Sequence, residues 1–119
     1  MDRATRNGPA GMALRAAGVL GHALAAEMVG VPVHRLAAWA RGQETPDPEE
    51  LARLADLVSL LEPLLRAFAP DRAAAWLGSH EPALRARPVD AFRRGGSGPL
   101  REALRARHRG GAGPGPAPD

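Results

Sequence analysis

The sequence contains no cysteine, no lysine and no tyrosine, and only four of its 119 side chains are aromatic. Without cysteine, the chain has neither a disulfide framework nor a thiolate zinc site. Because aromatic residues are few, leucine, valine and alanine must form the core, for which an apolar share of 45% is sufficient. An apolar run of about 18 residues and a signal peptide are also absent. These absences predict one small cytoplasmic protein with no membrane segment.

The positive charge is carried by arginine alone and is unevenly placed. Sixteen arginines raise the pI to about 11.2, although the net charge is only +3. Residues 1–54 contain six arginines and six acidic residues, whereas residues 55–119 contain ten arginines and seven acidic residues. A protein that binds nucleic acid without specificity is expected to be more basic than this.

The stretch from His22 to Arg41 has the pattern around which the chain is organised. Apolar residues recur at three- and four-residue steps on both sides of Gly30, namely Ala25, Met28, Val29, Leu36 and Trp39. This period predicts two short amphipathic helices joined by a tight turn, with Ala26 allowing their close approach. The second helix is expected over residues 33–41, with its end at Gly42. The sequence therefore predicts a helix-turn-helix.

This run resembles the helix-turn-helix of the Xre/Cro repressor class, on the positions held here by Ala26, Gly30, Val31, Leu36 and Trp39. The resemblance implies that the second helix reads DNA with its exposed side. The candidate DNA-binding residues are Val33, His34, Arg35, Ala38 and Arg41. Most of them are short or neutral, and Pro32 removes a backbone donor that would meet a phosphate. We expect operator binding by a homodimer or a larger complex, with a steep loss of affinity as salt rises.

The other helix boundaries are predicted from capping residues. A first helix is expected from Pro9 or Gly11 to residue 17, with Gly18 as its stop and Gly21 as the cap of the next helix. A long helix beginning after residue 46 has the strongest signal, because its first residues are an aspartate, a proline and a glutamate at capping-box spacing. Its apolar face consists of Leu51, Leu54, Leu57 or Val58, and Leu61. Pro63 predicts a kink, or an end and a restart as a helix over residues 63–68.

The rest of the chain is punctuated by proline and glycine into short segments. Helices are expected over residues 71–77, 88–94 and 99–109, with stops at Gly78, Gly95 and Gly110, and a turn or single helical turn over residues 79–84. Trp76 is predicted to anchor this part on the long helix. The fold class is therefore all-α, a small helical bundle with an N-terminal helix-turn-helix and a C-terminal subdomain of short helices. The predicted regions are a disordered N-terminus (1–10), the helix-turn-helix (11–46), the long helix (47–69), the subdomain (70–109) and a flexible tail (110–119).

In the C-terminal part, a Trp-Leu pair is followed by spaced proline, leucine, aspartate and glycine residues, namely Trp76, Leu77, Pro82, Leu84, Pro88, Asp90 and Gly95. On these positions the chain resembles the toxin-binding region of the Xre/MbcA/ParS antitoxins, and the likeness extends over about residues 13–108. His80 and Glu81 stand in place of a proline and an asparagine, Arg85 and Ala86 in place of glycines, and the spacing from Leu84 to Pro88 is one residue short. The resemblance implies a type II antitoxin that binds a RES-domain toxin, which consumes NAD, and that represses its own operon.

An exposed basic surface is expected beside the last two helices, since these arginines cannot all lie in a core. The candidate toxin-binding residues are Arg85, Arg87, Asp90, Arg93, Arg94, Arg101 and Arg105. The alternative function is a stand-alone helix-turn-helix transcriptional regulator whose C-terminal region only dimerises.

No other motif predicts chemistry. The four histidines have neither helical metal-ligand spacing nor an HExxH motif, and Ser59, Ser79 and Ser97 have no base at activating spacing in the sequence. The RRGGSG segment is interpreted as a mobile connector, with a phosphate cradle as the alternative. We expect no enzyme activity, cofactor or metal.

Overall fold

The computed structural model describes residues 8–112, with side chains through residue 107, and in this range it contains seven α-helices and no strand. The helices are α1 (Pro9–Leu20), α2 (His22–Val29), α3 (Val33–Ala40), α4 (Pro48–Ala67), α5 (Pro70–Leu77), α6 (Pro88–Gly95) and α7 (Gly98–Ala112). The predicted all-α bundle is therefore confirmed. Residues 9–10 and 110–112 are helical, although the sequence placed them in the terminal regions. The expectations for residues 1–7 and 113–119 lie outside the described part of the chain.

Helix α1 continues through Gly18, which was wrongly predicted to end it. Ala13, Ala16 and Leu20 are buried on one face, so the burial of that face continues past the glycine and favours another turn of helix. The chain breaks instead at Gly21, where φ is 88° and the backbone N–H donates to the carbonyl of Ala17 at 2.8 Å. This positive φ explains why glycine both ends α1 and begins α2.

Alanine substitutions at Gly18 and Gly21 should have opposite effects on stability. At Gly18 an added Cβ meets nothing within 4 Å in a helical backbone, so Gly18→Ala should stabilise the fold by about 0.5–1 kcal/mol. At Gly21 the Cβ also meets nothing, but φ is +88°, so Gly21→Ala should cost about 1 kcal/mol or more. Urea unfolding of the two variants measures this difference. Equal changes would contradict the assigned break.

Helix α4 begins with the predicted capping box. The Glu50 backbone N–H donates to Asp47 Oδ1 at 2.8 Å, and the Asp47 N–H donates to Glu50 Oε1 at 2.9 Å. The helix then runs unbroken through Pro63 to Ala67, so no separate helix begins at the proline. An internal proline costs about 3 kcal/mol. Burial of Leu60, Leu61 and Leu64 contributes about 1.5–3 kcal/mol for each side chain and outweighs that cost.

The C-terminal helices also differ from their predicted ends. Gly95 is the last residue of α6, and Gly96, with φ 76°, makes the stop. Helix α7 begins at Gly98 and passes through Gly110. Between α5 and α6, residues 81–86 form a turn closed by an isolated antiparallel bridge between Glu81 and Ala86.

One hydrophobic core joins the N-terminal and C-terminal halves. Helix α1 contacts α2, α3, α4 and α5, while α2 contacts α6 and α4 contacts α7. The C-terminal subdomain therefore packs on the long helix, as predicted, and also on the first two helices. Because Leu77, Val89, Phe92 and Leu100 belong to the same buried cluster as Trp39, the two halves stabilise each other.

Trp76 is half-buried and is not the main anchor of the subdomain. Its ring lies 5.5 Å from that of Phe68 between centroids, and its Nε1–H donates to Glu81 Oε1 at 2.7 Å. The neighbouring Leu77 is fully buried and inserts into the shared core. Trp76 therefore joins the 81–86 turn to the end of α4.

Candidate functional site

Helices α2 and α3 form a helix-turn-helix. Gly30 ends α2 in the left-handed region, with φ 86° and its N–H donating to Ala26 O at 2.8 Å. Val31 N–H donates to the same carbonyl at 3.0 Å, and Pro32 then occupies the N-cap of α3. Leu36 is buried, as predicted from the apolar period, and Ala26 is buried, as predicted from the close approach of the two helices.

The exposed side of α3 differs from the predicted one. Val33, His34 and Arg41 are exposed, and Val33 retains 46% of its accessible surface. Ala38 is buried, at 6% exposure, because residues 43 and 44 fold back so that their N–H groups point at its carbonyl oxygen. Ala38 is therefore not available to DNA in this structure. The helix presents a largely neutral surface with one exposed arginine beyond its end.

Arg35, the remaining candidate on α3, is held by carboxylates. Its Nε and Nη2 donate to Glu50 Oε2 and Oε1 at 3.0 and 2.7 Å, and Nη1 donates to Glu44 Oε1 at 3.3 Å. Its guanidinium also lies 5.5 Å from the ring centroid of Trp39. Because Glu50 belongs to the capping box, this fork fixes α3 to the first turn of α4. The hydrogen bond from Arg35 is the main cause that lowers the pKa of Glu50, and the hydrogen bond from the Asp47 backbone is the second. The hydrogen bond to Glu50 in turn raises the pKa of Arg35.

The lowered pKa of Glu50 predicts a loss of stability in acid. The contribution is fully present above the ordinary pKa of 4.5 and is lost as the pH falls through the lower folded value. Glu50→Gln should therefore reduce the fall in unfolding free energy below about pH 4.5, measured by urea unfolding as a function of pH. Glu49→Gln is the control, because Glu49 is 85% exposed and does not contact Arg35. A profile of Glu50→Gln that superimposes on the parent's would contradict this role.

Several of the predicted toxin-binding residues form pairs within the chain. Arg87 donates to both oxygens of Asp90 at 3.0 and 3.1 Å, which lowers the pKa of Asp90, and its Nη2 lies 3.5 Å from Glu27 Oε2 on α2. Arg101 donates to Ser97 Oγ at 3.2 Å and to Ser59 Oγ at 2.8 Å, while Arg105 donates to Glu102 Oε2 at 2.7 Å. Arg87 thus links the subdomain to α2 and Arg101 links it to α4, whereas the Arg105 pair lies within α7.

Arg85, Arg93 and Arg94 remain exposed, and in the described part of the chain they make no ion pair. Arg85 has φ 55°, the only positive φ of a non-glycine residue among residues 8–112. Its N–H donates to Glu81 O at 2.9 Å, and Glu81 Oε2 accepts the N–H of Ala83 at 3.1 Å. Sequence reasoning treated Glu81 only as a departure from the antitoxin pattern. In the structure, the Glu81 carboxylate accepts hydrogen bonds from Trp76 Nε1–H and from the Ala83 N–H and so stabilises the 81–86 turn.

Within the RRGGSG segment Ser97 binds an anionic group, but that group is a side chain of the protein. Asp56 Oδ2 accepts the Ser97 N–H at 2.8 Å, and Asp56 Oδ1 accepts the Ser97 hydroxyl at 2.6 Å. Ser97 is buried, with 7% exposure, and its carbonyl accepts the Arg101 N–H of the first turn of α7. The segment is thus neither a mobile connector nor an open phosphate cradle. The Asp56 carboxylate lies 41 residues from Ser97 in the sequence, so sequence spacing alone could not show this pair.

The turn at Gly96 should be intolerant of any side chain. An added Cβ would lie 3.0 Å from Asp56 Oδ2 at a φ of +76°, so Gly96→Ala should displace Asp56 and destabilise the fold by about 1–3 kcal/mol. Gly18→Ala is the control, since Gly18 lies within α1 and its added Cβ meets nothing within 4 Å. Thermal unfolding should place the two variants on opposite sides of the parent. A neutral Gly96→Ala would contradict the Asp56 contact.

A cleft of about 190 Å³ lies where the turn of the helix-turn-helix meets the subdomain. Met28, Val29, Gly30, Arg53 and Arg93 line it, and Arg53 Nε donates to Val29 O at 2.7 Å. Arg53 thereby satisfies a terminal carbonyl of α2, where a cation also suits the helix dipole. Within residues 8–112, no group of three histidine, aspartate or glutamate residues is arranged to hold a metal ion.

Across the described residues, no single helix combines the length and hydropathy needed to cross a membrane. Helices α1 and α2 meet that requirement only as a pair, which is bent by 119°.

The fold and these surfaces define an all-α protein with a helix-turn-helix and a helical C-terminal region on one core. No protein-family model, curated protein or solved structure matches the chain.

Proposed function

We propose that the chain is the antitoxin of a type II toxin-antitoxin system, which neutralises a RES-domain toxin that consumes NAD and represses its own operon. The backbone at Arg85 is the observation that carries this proposal. The antitoxin pattern that the sequence resembles has glycines at the positions of Arg85 and Ala86, and Arg85 has φ 55°. This conformation favours glycine, and in other residues it is uncommon. The backbone thus supports the resemblance at a position where the side chains differ.

The elements around the turn support the same assignment. Trp76 is tied to Glu81 by its Nε1–H, so the Trp-Leu pair and the turn form one unit. Pro88 opens α6, and a glycine stop separates α6 from the final helix. These features follow one another in the order of the resembled toxin-binding region.

The exposed arginines Arg85, Arg93 and Arg94 are the residues proposed to meet the toxin. The guanidinium group pairs with carboxylates in a planar fork and is weakly hydrated, and arginine is enriched at protein interfaces. Neutralisation needs no chemistry from the antitoxin, because covering the active site of the toxin is sufficient. Repression would use a homodimer that presents two copies of α3 to operator DNA.

A stand-alone regulator with a C-terminal dimerisation region is the second candidate. Its support is the internal pairing of Arg87, Arg101 and Arg105, which leaves fewer arginines for a foreign partner. A RES-domain reading frame beside the gene favours the antitoxin, and the lack of any toxin partner favours the regulator.

Charge reversal of the exposed arginines tests the antitoxin function. Co-expression of the full chain with the neighbouring RES-domain toxin should restore NAD and growth. Arg93→Glu and Arg94→Glu should each weaken toxin binding by about 2 kcal/mol or more, because like charges would then face each other. Arg15→Glu is the control, since Arg15 is exposed on α1 and is not among the candidate toxin-binding residues.

Full-length variants are required, because a chain ending near Phe68 would lose 7 of the 23 buried residues of the shared core. Failure of the parent chain to bind the toxin would exclude the antitoxin function and leave the regulator. Full protection by both Arg93→Glu and Arg94→Glu would show that these two arginines are not part of the contact surface.

A further inference from the structure

Arg35, in the first half of α3, donates hydrogen bonds to two acidic side chains of the same chain. Arg35 makes a bidentate pair with Glu50 and a third contact with Glu44. The Glu50 side chain is only 13% exposed, whereas that of Glu44 is 49% exposed. The three side chains together carry a net charge of −1. The surface beside Val33 and His34 therefore does not attract the phosphates of DNA.

We propose that Glu50 and Glu44 withhold Arg35 from the DNA backbone and so keep the affinity of the helix-turn-helix low. This inference rests on the DNA-binding part of the proposed function. The two oxygens of Glu50 occupy the fork of the guanidinium in the geometry that phosphate oxygens would otherwise take. Glu50 is thus an internal competitor of DNA.

The position of Arg35 makes this competition effective. Its side chain is 33% exposed, so its guanidinium lies at the boundary between protein and solvent. It is in the first turn of α3, next to the exposed His34, and a change of side-chain rotamer would be enough to redirect it. In the described part of the chain, the only other arginine at this helix is Arg41, beyond its last residue, where it contacts Gln43.

Without the Arg35 contact, a homodimer should discriminate more strongly between its operator and other DNA sequences. Non-specific affinity comes mainly from phosphate contacts, and their loss weakens binding to all sequences alike. A monomer without the Arg35 contact would bind DNA poorly, whereas two copies on a two-fold operator would add their contacts. The affinity would then depend on spacing and on the neutral face of α3 rather than on charge.

The variant Glu50→Gln removes the negative charge of Glu50 and should leave the fold unchanged. Glutamine also serves at the third position of a capping box, so the start of α4 is retained, while the ionic attraction to Arg35 is lost. Glu49→Gln makes the same change in net charge one residue earlier, at a side chain that does not contact Arg35. Thermal melts establish that each variant is folded. Should Glu50→Gln fail to fold, Glu44→Gln releases one contact of Arg35 and should show a smaller effect in the same direction.

Binding is measured with a mixed-sequence duplex long enough for two half-sites, at a series of salt concentrations. Glu50→Gln should bind several-fold more tightly than the parent, and its plot of log affinity against log salt should be steeper by about one for each protomer bound. Glu49→Gln should change both quantities much less. Adding Arg35→Ala to Glu50→Gln should remove the gain.

The outcomes separate this inference from the proposed function. Equal gains for Glu49→Gln and Glu50→Gln would mean that net charge alone acts, and the inference would be wrong. A gain that persists after Arg35→Ala would exclude Arg35 as the contact. Binding by the parent with no effect of Glu50→Gln would overturn the inference and leave repression intact. If no variant binds any duplex, both the inference and the DNA-binding role fail.

Discussion

Close packing of helices across alanine side chains is the constraint on which the rest of the structure depends. With only four aromatic residues, the core has few side chains that could fill wide gaps between helices. Ala13 and Ala16 of α1 and Ala25 and Ala26 of α2 are buried, so the helix backbones approach closely there. Because α1 contacts α2, α3, α4 and α5, the same alanine face positions the helix-turn-helix and the start of the C-terminal region.

Three carboxylates add to the stability that the small core provides. Each of them stabilises a helix N-terminus and also takes part in a tertiary contact. Glu50 caps α4 and holds Arg35, and Asp56 closes the start of α7 through Ser97. Asp90, in the first turn of α6, holds Arg87, which reaches Glu27 on α2. An acidic group at a helix N-terminus is favoured by the helix dipole, so the same charge stabilises local and long-range structure.

Local signals in the sequence predicted the helices well, and the errors arise where packing overrides them. The capping box at Asp47 and the turn at Gly30 depend on neighbouring residues only, and both were predicted. Gly18 and Gly95 were predicted as stops, but both lie within helices, and α1 and α6 end instead at Gly21 and Gly96, which have positive φ. The partners of Asp56 and Arg35 were not predictable, because 41 and 15 residues separate them from Ser97 and Glu50 and other acids were equally available.

The distribution of free arginines, rather than the pI, distinguishes the surfaces of this protein. Five arginines are paired with carboxylates within the described residues, namely Arg35, Arg53, Arg66, Arg87 and Arg105. A pI near 11.2 counts these groups as fully as exposed ones, although a partner meets mainly the charges that remain unpaired. Those on the 81–86 turn and α6 are the ones proposed to meet the toxin. The first turn of α3 has no such charge, so the proposed operator binding would depend on the geometry of two half-sites, and variants can alter the two surfaces independently.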